Sequence, residues 1–550
     1  MANTENYLPE SRDRVQRHLK GESDGPAAKI PRMYWSRGRE EIYTDQKTID
    51  SNNIIEVLED ALAKHSVIAQ SCRFLDDYER GNQPLQREKK YRQEINVVDI
   101  DNVANQIAEF WQNYVWGCPI LFVQRGSDDK NKEQNKDEIE AITLINEEYH
   151  LANGLYTGSK NAMLARNVEV KGIGFTYVDV NVDYEEGESH FTLDVLEPEY
   201  TFIVKYSGLG HKPVLGVTFS VDLQGLKHIT AFTETNRYEI VEYLDKKQDR
   251  KLSQTERSGE INPLGVIPII EYIRSYDRMG VFERQIPEMD ALNLMNSDFA
   301  NDVDQNTQSV WHANDIEPAK DENGEVINPK DGQWLYTFTA RDGRTPMVNP
   351  LSVVYDYPGM LSNIQNKRVT ILQKCNVPQR NDTTGGSTGI AMADASGWTA
   401  AEAAATKETE ILYGCKLQEL RVVLKAIEQS LTLKTIEVSN PMLKLKASDV
   451  RPNVNRQKSY EMVTKANAYA TWVNHGISPM HALEQVNAFP DVNQVITDSK
   501  EYLDKFYEKN FSEKNEEINT RMMGDYTDQI GNSPSLDGIN KQEETEKPIV

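Results

Sequence analysis

Apolar residues recur every three or four positions along several stretches of this chain, and that spacing predicts helices. Ile54, Val57, Leu58 and Leu62 fall on one face of a helix over about residues 54–64. Val103, Ile107, Phe110 or Trp111, and Tyr114 do the same from Asn102 to Trp116, where Gly117 and Pro119 stop the helix. After a polar surface loop at 127–138, Ile139, Ile142, Ile145 and Tyr149 resume the helical spacing. Between Val168 and Tyr243 the period shortens to two. Residues 174–180, 191–196, 214–219 and 229–233 read as strands separated by Gly, Pro and Asp turns, and predict an antiparallel sheet packed on the preceding helices.

The helical period returns after Pro268-Ile-Ile-Glu-Tyr. Ile286, Met289, Leu292, Met295, Phe299 and Val303 form one stripe with Asp or Asn on the other faces, and Pro287 suits the first turn. Residues 310–350, with Trp311, the run Trp334-Leu-Tyr-Thr-Phe, and Asn-Gly and Asp-Gly turns, predict a small β-rich module. A second helix spans about Tyr357 to Lys374, using Leu361, Ile364, Ile371 and Leu372. A polar glycine-rich loop then runs from Asn376 to Ile390. Trp398 opens a long helix in which Leu417, Leu420, Leu424, Ile427 and Leu431 step by three and four, a seam that needs a partner. Further on, Leu443-Lys-Leu-Lys reads as a short strand and 457–474 as a helix closed by Gly476. Ser478-Pro479 reads as the cap of another helix, and Asp491 as the start of a charged one. From Phe511 periodicity is lost, as in a disordered tail. No repeat of solenoid or propeller period is present.

Composition narrows the class. At 550 residues, with 38% hydrophobic and 27% charged, the chain has material for roughly three or four packed units of a soluble protein. The beginning of the chain lacks an apolar targeting core, and no run approaches the ~20 apolar residues of a membrane span. A net charge of −25 argues against tight DNA binding, which relies on Lys and Arg neutralising phosphates. The same acidity suits a passage through which DNA slips without sticking. Cys72, Cys118, Cys375 and Cys415 stand apart, which predicts neither a disulfide framework nor a zinc site but thiols in a reducing cytoplasm.

No catalytic constellation, metal site or cofactor site emerges, so an enzyme is not expected. Gly385-Gly-Ser-Thr-Gly lacks the lysine a phosphate loop requires. Asp76-Asp77 and Asp99-Ile-Asp101 lack a third ligand, and His475 and His481 straddle the break at Gly476. No Gly-x-Ser-x-Gly elbow is present.

One resemblance gives these elements a common frame. Tyr78-Glu-Arg-Gly-Asn-Gln-Pro, Asn102-Val-Ala-Asn-Gln-Ile-Ala-Glu-Phe, Tyr114-Val-Trp-Gly-Cys-Pro-Ile and Leu196-Glu-Pro-Glu-Tyr-Thr-Phe occur in that order. They are followed by Pro287-Glu-Met-Asp-Ala-Leu-Asn-Leu-Met-Asn-Ser-Asp and by Thr388-Gly-Ile-Ala through Gly397-Trp-Thr-Ala-Ala-Glu. Together, over about Arg73 to Glu508, they resemble the portal proteins of tailed bacteriophages, of the siphophage type found in Gram-positive hosts. The segments before Ser51 and after Lys509 match nothing in that pattern.

The resemblance implies an α+β portal fold with wing, stem, clip and crown, assembled as a ring of about twelve subunits around a DNA channel. Its divisions would be a poorly ordered or peripheral segment at 1–50, a wing at 51–270, a stem helix at 271–309 and a clip at 310–350. A second stem helix at 351–378 and a tunnel loop at 379–398 would follow. Then would come a long wing helix and strand at 399–455, a crown at 456–509 and a tail at 510–550. In the tunnel loop, Arg380, Asn381, Thr383, Thr384, Gly385, Gly386, Ser387 and Thr388 would touch double-stranded viral DNA transiently and without reading sequence, or else contact only neighbouring residues. In the clip, Trp311, Trp334, Tyr336 and Phe338 would form a docking surface, or else fill the core of a small β module. Leu292, Met295, Phe299, Leu417, Leu420 and Leu424 would pack between subunits.

The implied function is packaging, retention and ejection of DNA at one capsid vertex of the virion, after assembly in the host cytoplasm. The implied partners are the terminase, head-completion or adaptor proteins, and the major capsid and scaffolding proteins; no membrane is involved. A capsid-associated scaffold or adaptor without a channel is the alternative, and a packaging nuclease or NTPase is another that lacks its motifs.

Overall fold

The computed structural model describes residues 38–85, 96–125, 132–154, 159–185, 187–307, 310–320, 322–327, 334–339, 345–351, 356–379, 397–433, 440–454, 456 and 462–486, with single positions between 489 and 502. The helices are α1 (Ile54–Glu79), α2 (Val103–Trp116), α3 (Lys132–Gly154), α4 (Lys160–Lys171), α5 (Ile286–Thr307), α6 (Tyr357–Lys374), α7 (Trp398–Leu433), α8 (Met462–Asn474) and α9 (Pro479–Val486). The strands are β1 (Ile42–Thr44), β2 (Leu121–Gln124), β3 (Ile173–Val180), β4 (Phe191–Leu196), β5 (Thr201–Tyr206), β6 (Pro213–Val221), β7 (Lys227–Phe232), β8 (Asn236–Leu244) and β9 (Arg250–Gln254). They continue as β10 (Glu260–Ile261), β11 (Ile269–Ile273), β12 (Val310–Asn314), β13 (Ala319–Lys320), β14 (Val326–Ile327), β15 (Trp334–Thr337), β16 (Met347–Leu351) and β17 (Val450–Asn453). This is a mixed α+β architecture in two compact units, Met1–Glu461 and Met462–Val550.

In the first unit β5 to β8 form an antiparallel meander, extended by β1 parallel to β5 and by β9 and β10 beside β8. Side chains alternate across a strand. Ile229 and Ala231 of β7 and Tyr238 and Ile240 of β8 therefore share one face, buried against Ile54, Val57, Leu58 and Ala61 of α1. A second sheet, β11-β3-β4, lies against α7, which contributes Leu420, Val423, Ala426 and Ile427 to the core around Val178, Leu193, Ile270 and Tyr272.

Several expectations change. The single sheet expected over 168–243 is two, because β11 returns from outside that window to pair with β3. Val168 belongs to a helix, α4: Ser159 caps it by accepting from Ala162 N, and Gly172 closes it with φ +77. Its β-branched Val168 and Val170 imitate a strand in the sequence. Helix α1 runs to Glu79, since its buried stripe continues through Ala69, Cys72, Leu75 and Tyr78. The sequence Leu443-Lys-Leu-Lys is not a strand. A short 3-10 turn, Pro441–Lys444, starts where Asn440 accepts from Met442 N, and the strand nearby is β17, paired with β2. Residues 38–50 are not peripheral, for Arg39, Ile42 and Ile49 are buried.

Between α5 and α6 lies the small β insert. β12 pairs in parallel with β15 and antiparallel with β16, and β13 and β14 form a hairpin. In the second unit α8 ends where Gly476 takes φ +87 and Ile477 N donates to Trp472 O. Ser478 Oγ then accepts from His481 N at the start of α9. The start of α8 before Met462, the helix expected from Asp491 and the tail expected after Phe511 lie outside the described residues apart from single positions.

Candidate functional site

The segment from α5 to α7 holds every residue singled out for function in the sequence. Helices α5 and α6 run antiparallel. Phe299 near the end of α5 meets Tyr357 at the start of α6 edge-on at 5.9 Å, while Glu288 at the start of α5 takes Lys367 (3.4 Å) and Lys374 from the end of α6. The hydrogen bond from Lys374 holds the Glu288 carboxyl below its ordinary value. Leu292 is fully buried in the chain's own core, and so is Leu420 of α7. Met295, Phe299, Leu417 and Leu424 pack half-buried on the same core. The seam along α7 thus finds a partner inside the chain, in β3 and β11, and Leu292 and Leu420 are covered by the chain's own core.

One face of α5 that looks solvent-facing in sequence is instead buried and polar. Asn293, Ser297 and Asn301, four residues apart, are fully buried. Each receives a backbone N–H from an extended strap: Asp101 N donates to Asn293 Oδ1 (3.0 Å), Asp99 N to Ser297 Oγ (3.0 Å) and Val97 N to Asn301 Oδ1 (2.9 Å). Ser297 Oγ and Asn301 Nδ2 donate in return to Asp99 O and Val97 O. The register is geometric. Four helical residues advance about 6.0 Å and two extended residues about 6.6 Å, so alternate strap residues meet successive rungs. Asp101 at the strap's end also binds Arg368 of α6 at 2.7 Å, tying both helices to the start of α2.

In the insert, Trp311, Trp334 and Tyr336 lie on one face of the sheet with Ala313, Val348 and Pro350, as the register requires. Trp311 and Trp334 stack at 5.8 Å, and Trp334 and Tyr336 at 6.1 Å. Among the described residues of the insert only Ala313 is fully buried; the three rings are half-buried and Phe338 is 53% exposed. Asp315, with φ +56, closes the edge by accepting from Thr339 N, Thr339 Oγ1 and Thr345 N.

Where α6 ends, the chain makes a Schellman turn. Asn376 takes the left-handed conformation at φ +54, its N–H donates to Gln373 O (3.0 Å), and Val377 N donates to Leu372 O (2.9 Å). Residues 376–379 are thus ordered, and Val377 is buried, where the sequence suggested loop throughout. Arg380, Asn381, Thr383, Thr384, Gly385, Gly386, Ser387 and Thr388 lie outside the described residues.

Beneath these elements sits a buried charged junction that sequence reasoning missed. Arg39 and Glu283, both with fully buried side chains, form an ion pair, and Glu283 also accepts from Gly280 N at 2.8 Å. Burial pushes the Glu283 carboxyl up to about 7 against the pull of Arg39. Arg274 bridges Glu169 (3.1 Å) and Glu408 (3.3 Å), and burial together with the neighbouring Glu169 raises Glu408 well above its usual range. Arg39 and Arg274 are each held against buried carboxyl groups within the core.

The Cys72 and Cys375 thiols are pushed up to about 12 by burial, far from the thiolate a nucleophile needs. Asp76 pairs with Arg166 at 2.6 Å and with Arg80 at 2.9 Å, so its carboxylate is engaged in ion pairs. Among the described residues no group of three or more His, Cys, Asp or Glu is placed to hold a metal ion, and no helix is long and apolar enough to cross a membrane.

Comparison with known proteins gives three findings. The family model described as "Phage portal protein, SPP1 Gp6-like" matches residues 58–505. The arabinose metabolism transcriptional repressor of Halalkalibacterium halodurans is 23% identical over 172 residues, which is 28% of this chain and 46% of that protein. The chain thus spans about half the length of this curated relative. Two solved structures, the neck of an empty GTA particle computed with C6 symmetry and the neck of a native GTA particle computed with C12 symmetry, are each 10% identical, cover 71% of this chain and 91% of theirs, and give a TM-score of 0.32.

Proposed function

We propose, for a chain that belongs to the SPP1 Gp6-like family of phage portal proteins, the role of a ring subunit forming the DNA channel at one vertex of a capsid. In this reading α5 and α6 are the stem, the insert at 310–350 is the clip, and the body with α7 is the wing. Residues 379–398 are the tunnel loop and 456–509 the crown. The ring has about twelve subunits closed by one repeated heterologous contact. It passes viral DNA during packaging, retains it, and releases it at ejection.

The observation that carries the reading is the succession of antiparallel α5 and α6 around a β insert with a half-exposed aromatic face, followed by α7, all inside the family-matched segment. Met295, Phe299, Leu417 and Leu424 remain the candidates for subunit packing. The aromatic face of the insert is the surface for the terminase and later for head-completion or adaptor proteins, aromatic side chains being favoured anchors. The wing meets major capsid and scaffolding proteins. Arg380, Asn381, Thr383, Thr384, Ser387 and Thr388, in one loop with Gly385 and Gly386, make transient, sequence-independent phosphate contacts. The portal role is structural, without catalysis, cofactor or metal, in the virion after assembly in the host cytoplasm.

Deleting 382–388 tests the channel assignment. The expected result is a ring of unchanged mass whose particles package or retain DNA poorly; normal packaging by that variant would remove the loop from the account.

A further inference from the structure

The end of α6 at Cys375 and the start of α7 at Trp398 are held by one helix, α2. Trp111 of α2 donates Nε1–H to Cys375 O (3.0 Å), the C-cap of α6, so the Schellman turn that delivers Pro378 and Gln379 is fixed to α2. On the return side Trp398, the first residue of α7, lies 6.1 Å from the Phe110 ring and 5.6 Å from the Tyr114 ring. Phe110 and Tyr114 stack at 5.4 Å, and Phe110 meets Trp111 edge-on at 5.5 Å, so the two sides share one aromatic group. Tyr114 OH donates to Glu402 one turn into α7, and Arg456 donates to the other oxygen of that carboxylate at 2.6 Å. Gly397 takes φ +88, and a Cβ there would stand 3.9 Å from Pro378 Cα, so the outgoing and incoming backbones pass close to each other.

We propose that Phe110, Trp111 and Tyr114 of α2, with Trp398, form an aromatic neck that clamps both ends of 380–396 to one rigid helix and thereby positions that segment. These are positioning residues, and the assignment of a channel role to the segment rests on the portal reading above. A clamped base transmits any load on the segment into α2 and the long α7 rather than into α6 alone. Removing Trp398 takes away its contacts with Phe110 and Tyr114 and opens those two rings to water.

The test uses the full chain with three variants, Trp398→Ala, Trp398→Phe and the deletion of 382–388. Two readouts are taken on assembled protein: amide hydrogen exchange at 376–379 and 398–402, and DNA packaged per particle. W398A should assemble with unchanged mass. Its amides should exchange about tenfold faster on both sides of the neck, including the exit side it does not touch, through local opening. Its packaging should fall toward that of the deletion variant, and W398F should restore both readouts most of the way. If W398A fails to assemble, Phe110→Leu, which keeps an apolar side chain but breaks the ring group, takes its place in the same comparison. Unchanged exchange at 376–379 in W398A overturns the neck. So does wild-type packaging by W398A when the deletion variant packages poorly. Wild-type packaging by the deletion variant overturns the loop's role instead, while the exchange readout still decides whether the neck exists.

Discussion

Replacing Asn301 by alanine removes the outermost rung of the ladder that holds residues 97–101 against α5. The amide loses two bonds to the strap, the one it accepts from Val97 N and the one it donates to Val97 O, each at 2.9 Å. A neutral hydrogen bond nets about 0.5–1.5 kcal/mol. Val97 is 40% exposed, so water replaces part of what is lost, and a cost of about 1–2 kcal/mol follows. The loss should be local. In hydrogen exchange the Val97 amide should exchange roughly tenfold faster, as about 1.4 kcal/mol implies. The Asp99 and Asp101 amides, held by Ser297 and Asn293, should keep most of their protection. Equal exchange at Val97 in both proteins would refute the ladder as a source of order, and equal loosening at all three amides would refute its rung-by-rung construction.

Glycine substitutions should act in opposite directions. A Cβ at Gly280 would stand 2.1 Å from Val170 O, a backbone atom, so Gly280→Ala should destabilise by about 1–3 kcal/mol or more in chemical denaturation. At Gly414, exposed in the middle of α7, a Cβ meets nothing within 4 Å, and Gly414→Ala should stabilise by about 0.5–1 kcal/mol. Glu283 supplies a pH test: its folded value of about 7 lies above the ordinary 4.5, so the folded chain holds a proton that the unfolded chain releases in that window. Stability from this group is therefore present below pH about 4.5 and lost as pH rises through 7. Glu283→Gln should flatten the fall of Tm between those values, and an unchanged slope would count against the buried proton. In the insert, Trp334→Ala opens the stack with Trp311 and Tyr336. If that face docks a partner, terminase-dependent packaging should drop while ring mass stays the same; unchanged packaging with a lowered Tm would make the rings core instead.

What was legible in the sequence follows from which contacts are local. The bounds of α6 could be read because its signals lie within a turn of each end: Asp356 accepting from Gly359 N, Pro358 in the first turn, and apolar steps to Leu372. The alternation Trp334, Tyr336, Phe338 announced a strand. Its parallel pairing with β12, which stacks Trp334 on Trp311, depends on a partner more than twenty residues away. The α7 seam was visible, whereas its partner, the β11-β3-β4 sheet, exists only after a strand returns from 269–273. Asn293, Ser297 and Asn301 read as a wet helix face because polar residues usually are. The one available signal was their strict spacing of four beside an extended run. Arg39 and Glu283, 244 positions apart, carried no local mark at all. The neck combines both kinds: Phe110, Trp111 and Tyr114 were legible on α2, but their hold on Cys375 and Trp398 was not.

The central claim is a closed ring around a channel. Native mass spectrometry of the purified full chain, with negative-stain averaging at several salt concentrations, tests it most directly. The account predicts a single closed species of about twelve subunits with a central hole. A stable monomer or dimer under every condition would contradict it and leave a capsid-associated protein without a channel.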